Sequence, residues 1–263
     1  MTKNQQLYLR HLRNRNIFIQ ASRVMVLFLF LISWEYTSAV GIIDSFVFCS
    51  PSKIYFCFIR MLQDHSLYLH VTTTLYETLM SFILVTLLSI LVAVLLWTSD
   101  LCAKIFEPFL VTLNSLPKSA LAPLLIVWLG ANRKTIIVAG ISVAIFGSIL
   151  SIYTAFSSTD FSKQMLIKTL GGNRFHILTK VVLPSNLPVI ISNMKINIGL
   201  CLVGVVIGEF IGGRQGLGYL IIYGSQVFKM DWMLTSMMLL CIISFVLYFT
   251  ITMLEKRIKK RSV

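Results

Sequence analysis

Leu79–Ser99 contains no charged side chain, and Thr135–Ser162 is interrupted only by Asp160. A helix of about 20 apolar residues crosses the hydrocarbon of a bilayer. Composition agrees. The 263 residues are 57% apolar and 13% charged, against about 45–50% and about 25% in soluble domains. A water-soluble globule of this make-up would lack a polar surface. The pattern therefore excludes a soluble enzyme, a secreted disulfide scaffold and a disordered regulator, and predicts an all-α integral membrane protein.

Hydropathy places six transmembrane helices near Phe18–Val40, Val71–Thr98, Ile105–Gly130, Thr135–Phe156, Pro188–Ile211 and Trp232–Leu254. The net charge is +13, and its placement matters more than its size. Basic residues gather at the start (Lys3, Arg10, Arg13, Arg15, Arg23) and at the end (Lys256, Arg257, Lys259, Lys260, Arg261). Lysine and arginine concentrate on the cytoplasmic side of membrane proteins. Both termini are therefore expected in the cytoplasm, with the first span retained as an anchor. That orientation puts fifteen basic residues inside and six outside. No reader domain for nucleic acid is present, and none is expected to bind. Residues 1–263 form one transmembrane domain.

The five cysteines carry no CxxC spacing, and the four histidines lack ligand spacing, so no metal site is expected. Cys49 and Cys57 leave open a bridge on the outer side. Ser50-Pro51-Ser52 marks a helix start, with Ile54–Leu69 lying along the membrane surface or packing on the bundle. Glu35 and Lys195 are placed at membrane interfaces.

The segment 157–187, between the fourth and fifth spans, is a structured cytoplasmic loop. Ser158-Thr159-Asp160 supplies an N-cap cluster. Phe161–Leu170 is amphipathic, with Phe161, Met165, Leu166, Thr169 and Leu170 on one face and Ser162, Lys163, Gln164 and Lys168 on the other. Gly171-Gly172 ends that helix, because glycine adopts the left-handed conformation of a C-cap. A second short helix is expected from Asn173 to about Val182, before Pro184.

This loop resembles the cytoplasmic loop of bacterial ABC-importer permeases. Leu170-Gly171-Gly172-Asn173-Arg174, Lys180-Val181-Val182-Leu183-Pro184 and Leu187-Pro188 are the residues concerned. That family's loop reads Glu-Ala-Ala, three residues, Gly, nine residues, Ile, one residue, Leu-Pro. Gly171, Val181 and Leu183-Pro184 match, whereas the opening triplet here is Met165-Leu166-Ile167. Leu116-Pro117-Lys118-Ser119-Ala120-Leu121-Ala122-Pro123-Leu124, then Ile126–Gly130, resembles the third-span signature of the sulfonate/nitrate/taurine subgroup. Gly208-Glu209-Phe210 with Gly216–Ile221 resembles that subgroup's fifth-span end. The family-like core covers about 65–254.

The resemblance implies a permease subunit of an ATP-driven importer, working by alternating access as a homodimer in the bacterial inner membrane. It implies two ATP-binding subunits and an extracytoplasmic substrate-binding protein as partners, with ATP-Mg held by the ATP-binding subunit. The contact with that subunit would centre on Lys168, Thr169, Leu170, Gly171, Gly172, Asn173, Arg174, Phe175 and His176, framed by Leu183 and Pro184. A partnerless loop lying on the membrane surface is the alternative. No phosphate-cradling loop is present, because Gly212–Gly216 lacks the lysine of that motif, and no catalytic residue is expected. The subgroup implies a small anionic cargo of the sulfonate, taurine or nitrate kind. A vitamin precursor or other neutral solute is the first alternative, and a membrane enzyme or assembly factor the second.

Lys118, between Pro117 and Pro123, falls near the middle of its expected span. A charge at that depth faces a cavity or a partner. It either adds positive potential to the translocation path, pairs with Glu77 or Glu107, or reaches to the inner surface. Glu209 lies at the outer end of the fifth span, where it either pairs with Arg214 at an outer gate or is solvated. Gly204, Gly208 and Gly212 line one helix face, which suits close packing within the subunit or across a dimer.

Overall fold

The computed structural model describes residues 15, 18, 19, 22, 25, 26, 28–41 and 49–261. Among them the regular structure is entirely helical. Residues 28–39 form α1. There follow α2 (Pro51–Gln63), α3 (Ser66–Thr98), α4 (Asp100–Ser115), α5 (Lys118–Leu129), α6 (Arg133–Ser157), α7 (Phe161–Thr169) and α8 (Arg174–Ile177). A single widened turn, Leu178–Val182, leads into α9 (Leu183–Gly212), and α10 (Leu217–Gln226) and α11 (Met230–Arg261) complete the chain. Lys3, Arg10, Arg13 and Arg23, used in the orientation argument, lie outside the described residues, as does part of the Phe18–Val40 span.

Four helices are long and apolar enough to cross a membrane, namely Ser66–Thr98, Arg133–Ser157, Arg174–Gly212 and Met230–Lys256. The third expected span, Ile105–Gly130, is a broken one. Its two halves, α4 and α5, meet at 96°. Pro117 causes the break. Proline pushes its predecessor out of the helical region, and Leu116 is extended with ψ 143°. The fifth expected span starts earlier than Pro188, since helix runs unbroken from Arg174 to Gly212. Pro184 and Pro188 cannot donate to the preceding turn. The backbone widens just before Pro184 rather than stopping, with Leu183 N–H donating five residues back to Leu178 C=O, and Pro188 lies inside α9.

The central packing unit is α3, α6 and α9. Its inner faces are small or polar. Thr74, Thr78, Ser81, Ser89, Ser148, Asn193 and Asn197 are buried, whereas Leu87, Leu91 and Leu95 of α3 point outward. Lipid tails are as apolar as leucine, so membrane helices gain little by hiding leucine and more by close approach and interhelical hydrogen bonds. Asn193 and Asn197 of α9 both donate to Ser148 Oγ of α6, at 2.7 and 2.9 Å. The α9 glycines settle which surface they serve. A Cβ on Gly204 would lie 2.8 Å from Gly140 Cα, and one on Gly208 would meet Ile136 and Ala139. One on Gly212 would meet Ile126. All three pack within the subunit.

Ser50 caps α2 and Pro51 occupies its first turn, as expected. Glu35 of α1 also accepts from Ser52 N–H and Oγ, at 3.1 and 2.9 Å. The segment after it ends at Gln63, so Leu69 belongs to α3 rather than to a surface helix. Cys57 and Met61 of α2 pack with Leu67, Leu217, Leu220 and Ile243. Cys49 and Cys57 are buried free thiols, not a bridge. Lys195 is tied to Glu255 of α11 by an ion pair.

Candidate functional site

The loop between α6 and α9 is built from local signals. Asp160 accepts Ser162 N–H at 2.9 Å to cap α7. At the other end Leu170 is the C-cap and Gly171 takes φ +81°. Gly171 N–H donates to Lys168 C=O and Gly172 N–H to Ile167 C=O, at 3.0 and 2.8 Å. This is the paired closure of a Schellman motif. A reciprocal cap opens α8. Asn173 Oδ1 accepts His176 N–H at 3.0 Å, and His176 Nδ1 accepts Asn173 N–H at 3.3 Å. Capping groups thus satisfy the donors a helix start leaves free.

The loop is fastened to the bundle at several points. Arg174 donates to Thr98 C=O at the end of α3, and Asn186 donates to Thr159 Oγ1 at 2.8 Å. Ile177 and Val182 are buried with Ala93, Ile152, Phe156 and Ile190, and Ile167 and Leu183 pack against them. The rest of the apolar face is bare. Leu170 is 75% exposed and Phe175 68%, and Phe161 and Leu166 are exposed too. Of the expected contact residues, Lys168, Thr169, Leu170, Gly171, Asn173, Arg174, Phe175 and His176 share this exposed surface, with Gly172 half-buried beneath it. Leu183 instead belongs to the inner cluster, and Pro184, though exposed, lies beyond the widened turn.

Lys118 is not within a straight span. It opens α5 at the break, with Pro117 as N-cap. Its Nζ donates to Asn114 Oδ1 at 3.2 Å, so among the described residues its partner is neither Glu77 nor Glu107. Pro123 lies inside α5.

Glu209 is 1% exposed, and its hydrogen bonds run to neighbouring helices rather than to Arg214. It accepts from Thr74 Oγ1 at 2.7 Å and from Gly218 N–H at 2.6 Å. Thr74 Oγ1 in turn accepts Leu217 N–H at 2.8 Å, and His70 Nδ1 accepts Gly216 N–H at 3.0 Å. The first turn of α10 is therefore capped by side chains of α3 and α9. The glycines of Gly216-Leu217-Gly218 follow from this, since a Cβ at either would lie 2.3–2.8 Å from the Glu209 carboxylate. Sequence reasoning missed His70, Thr74 and α10 itself. The available signal was Gly216 and Gly218 placed shortly after a glutamate at a helix end. Near this cap, a cavity of about 280 Å³ is lined by Thr73, Glu77, Asn132, Arg133, Arg214 and Gln215. It lies at the end of α6 and α9 opposite the loop.

Comparison with known proteins bears on the whole chain. Residues 85–262 match the family of binding-protein-dependent transport system inner membrane components. A probable ABC transporter permease protein of Haemophilus influenzae is 29% identical over 236 residues, covering 89% of this chain and 95% of the relative. A putative aliphatic sulfonates transport permease of Bacillus subtilis is 22% identical, covering 86% and 82%. The formylaminopyrimidine transport permease of Halalkalibacterium halodurans is 27% identical, covering 76% and 80%. A chain of the methionine ABC transporter MetNI, solved in an inward-facing conformation, has the same fold. The TM-score is 0.64 and the identity 20%, over 72% of this chain and 94% of that one. With this match over most of its length, the chain belongs to the family of inner membrane components of binding-protein-dependent transport systems, as a transport subunit and not an enzyme.

Proposed function

We propose that two copies of this chain form the translocation path of an importer, driven by two ATP-binding subunits and supplied by an extracytoplasmic substrate-binding protein. ATP-Mg sits on the ATP-binding subunits and no cofactor on this chain. The chain lies in the cytoplasmic membrane with both termini inside. The observation that carries this reading is an exposed apolar surface, Phe161, Leu166, Leu170 and Phe175, on a loop clamped to α3, α6 and α9. Bare apolar side chains on a rigid mount suit a protein partner. Motion of that partner would pass through the Arg174–Thr98 contact and the continuous 174–212 helix to the bundle, which then switches between packed states. Leu170→Asp with Phe175→Asp tests this. The pair abolishes co-purification of the ATP-binding subunit and leaves the melting temperature of the chain within a few degrees. Retained co-purification refutes the assignment.

The cargo proposed is a small anionic solute of the sulfonate, taurine or nitrate kind. Support comes from Lys118 at the break in the α4–α5 span, where the start of α5 adds the positive end of a helix. Broken helices at membrane depth occur where they line a cavity or are covered by protein. Lys118→Met lowers uptake of the anion about tenfold or more if the charge faces the path, and unchanged uptake kinetics remove that role. The name of the Halalkalibacterium relative favours a second reading, a vitamin precursor. Competition between a sulfonate and an aminopyrimidine for uptake distinguishes the two.

A further inference from the structure

A long groove runs between α9 and α11 and encloses about 740 Å³. Ile198, Leu202, Val206 and Phe210 of α9 and Leu240 and Phe245 of α11 are among its walls. Gly199 forms part of its floor, where a Cβ would meet nothing within 4 Å. That sets Gly199 apart from Gly204, Gly208 and Gly212, whose Cβ positions are taken by neighbouring helices. The groove is therefore space that the subunit's own packing leaves open.

Charge enters this lining at one place. Among the described residues the only charged wall is Lys195, whose ammonium is tied to Glu255 of α11. An ammonium carries three N–H donors, so one carboxylate oxygen does not exhaust it. From Glu255 onward α11 stays helical to Arg261, and this stretch of sequence holds Lys256, Arg257, Lys259, Lys260 and Arg261. Lys256 is exposed. The groove is thus apolar along its length and positive at the end where Lys195 meets α11.

Its dimensions and its polarity select an occupant. Lys195 and Phe210 lie fifteen positions apart on one helix, or ~22 Å at 1.5 Å per residue. That exceeds the ~15 Å of a single leaflet, half of the hydrocarbon thickness. A volume of about 740 Å³ spread over that length is a mean section of ~34 Å², whereas a helix of another chain, ~10–12 Å across, needs ~80 Å² or more. A hydrocarbon chain is one methylene wide and fits. Acyl tails are as apolar as the walls, so entering the groove gives no transfer gain over the bilayer. The head group must then decide between one lipid and another, and a positive end calls for a phosphate without a compensating cation. We propose that this groove binds an anionic phospholipid of the bilayer, with an acyl chain laid along α9 over Gly199 and its phosphate at Lys195 and the basic end of α11. In the proposed orientation that end meets the inner leaflet. The binding itself does not rest on the importer reading.

The test uses the full chain, purified in mild detergent with the subunits that accompany it and stripped of lipid. It is titrated with dioleoyl phosphatidylglycerol or dioleoyl phosphatidylcholine, which share their tails and differ in head-group charge. Native mass spectrometry counts bound lipids and chain copies together. The first phosphatidylglycerol binds at least tenfold more tightly than the first phosphatidylcholine. Gly199→Phe puts a ring into the groove, weakens phosphatidylglycerol at least tenfold and leaves the number of chain copies unchanged. Lys195→Met with Glu255→Gln removes the ion pair without stranding either charge, and cuts the preference for phosphatidylglycerol at least threefold. Equal binding of the two lipids, or phosphatidylglycerol binding that is unchanged in Gly199→Phe, overturns the proposal. A Gly199→Phe chain that separates from its second copy and keeps its lipid also overturns it, and assigns the groove to that copy. If Gly199→Phe fails to fold, the two lipids on the unaltered chain and on the Lys195→Met, Glu255→Gln chain decide alone.

Discussion

Gly218 has no room for a methyl group. A Cβ there would sit 2.8 Å from Glu209 Oε2 and 2.9 Å from Val206 C=O. Neither neighbour yields freely, because Glu209 is held by Thr74 and by Gly218 itself. Gly218→Ala is expected to destabilise the chain by about 1–3 kcal/mol and to lower its melting temperature in detergent. Gly199→Ala is the matched comparison. A Cβ on Gly199 meets nothing within 4 Å, and the site is helical, so the melting temperature stays level or rises. A second residue-scale expectation concerns Cys49 and Cys57. Burial pushes both thiols up, with the nearby charge of Asp231 adding to the effect. The thiolate is the reactive form. A membrane-impermeant maleimide at pH 7 is therefore expected to label them roughly tenfold more slowly than in the SDS-unfolded chain, with the rate climbing above pH ~8.5. The linkage has the same sign. These thiols add stability below the unfolded pKa, and that contribution is lost as pH rises through the higher folded value.

At the scale of the element, the loop shows how completely local chemistry can be written in sequence. The Asp160 cap, the stop at Gly171 and the restart at Asn173 were all legible, because each depends on residues within a turn of it. Gly171→Val tests that dependence. No neighbour lies within 4 Å of a Cβ there, so only the φ of +81° is at stake. Forcing a β-branched residue into that region costs about 1–2 kcal/mol or more. The α7–α8 turn then rearranges, and co-purification of the ATP-binding subunit falls while the melting temperature of the bundle changes little. Full retention of the subunit would show that the turn geometry is not needed for docking. The breaks were less legible. Proline is equally a signal to stop, to kink or to begin, and only surrounding contacts decide. Pro117 breaks its span at 96°, whereas Pro184 follows a widened turn in the first turn of α9 and Pro188 lies inside that helix without breaking it.

For the whole molecule, the proposed orientation, which would put the loop on the side of an ATP-binding subunit, would also put the Glu77 cavity on the outer face, since the two lie at opposite ends of α6 and α9. A reporter fused after Val263 checks this. Green fluorescent protein there is expected to fluoresce, and alkaline phosphatase there to be inactive. The opposite pair of results would invert the bundle and put the cavity in the cytoplasm. The apolar runs, the basic residues and the glycine-marked loop determined by themselves that the chain is a helical membrane protein with a structured loop. Each is a local or compositional property. Which face of each helix looks inward was hidden, since leucine is at home on either side in lipid and buried threonines and asparagines look like scattered polar residues. Tertiary structure alone decided that Gly204 and Gly208 of α9 meet α6 and that Gly212 meets Ile126 of α5. It also turned Glu209 from an expected gate residue into the cap of α10. Glu77 and Arg214, 137 positions apart, became walls of one cavity. The physical reason is common to all three. Hydrogen bonds and close packing between helices depend on which segments become neighbours, and no periodicity within one segment encodes that choice.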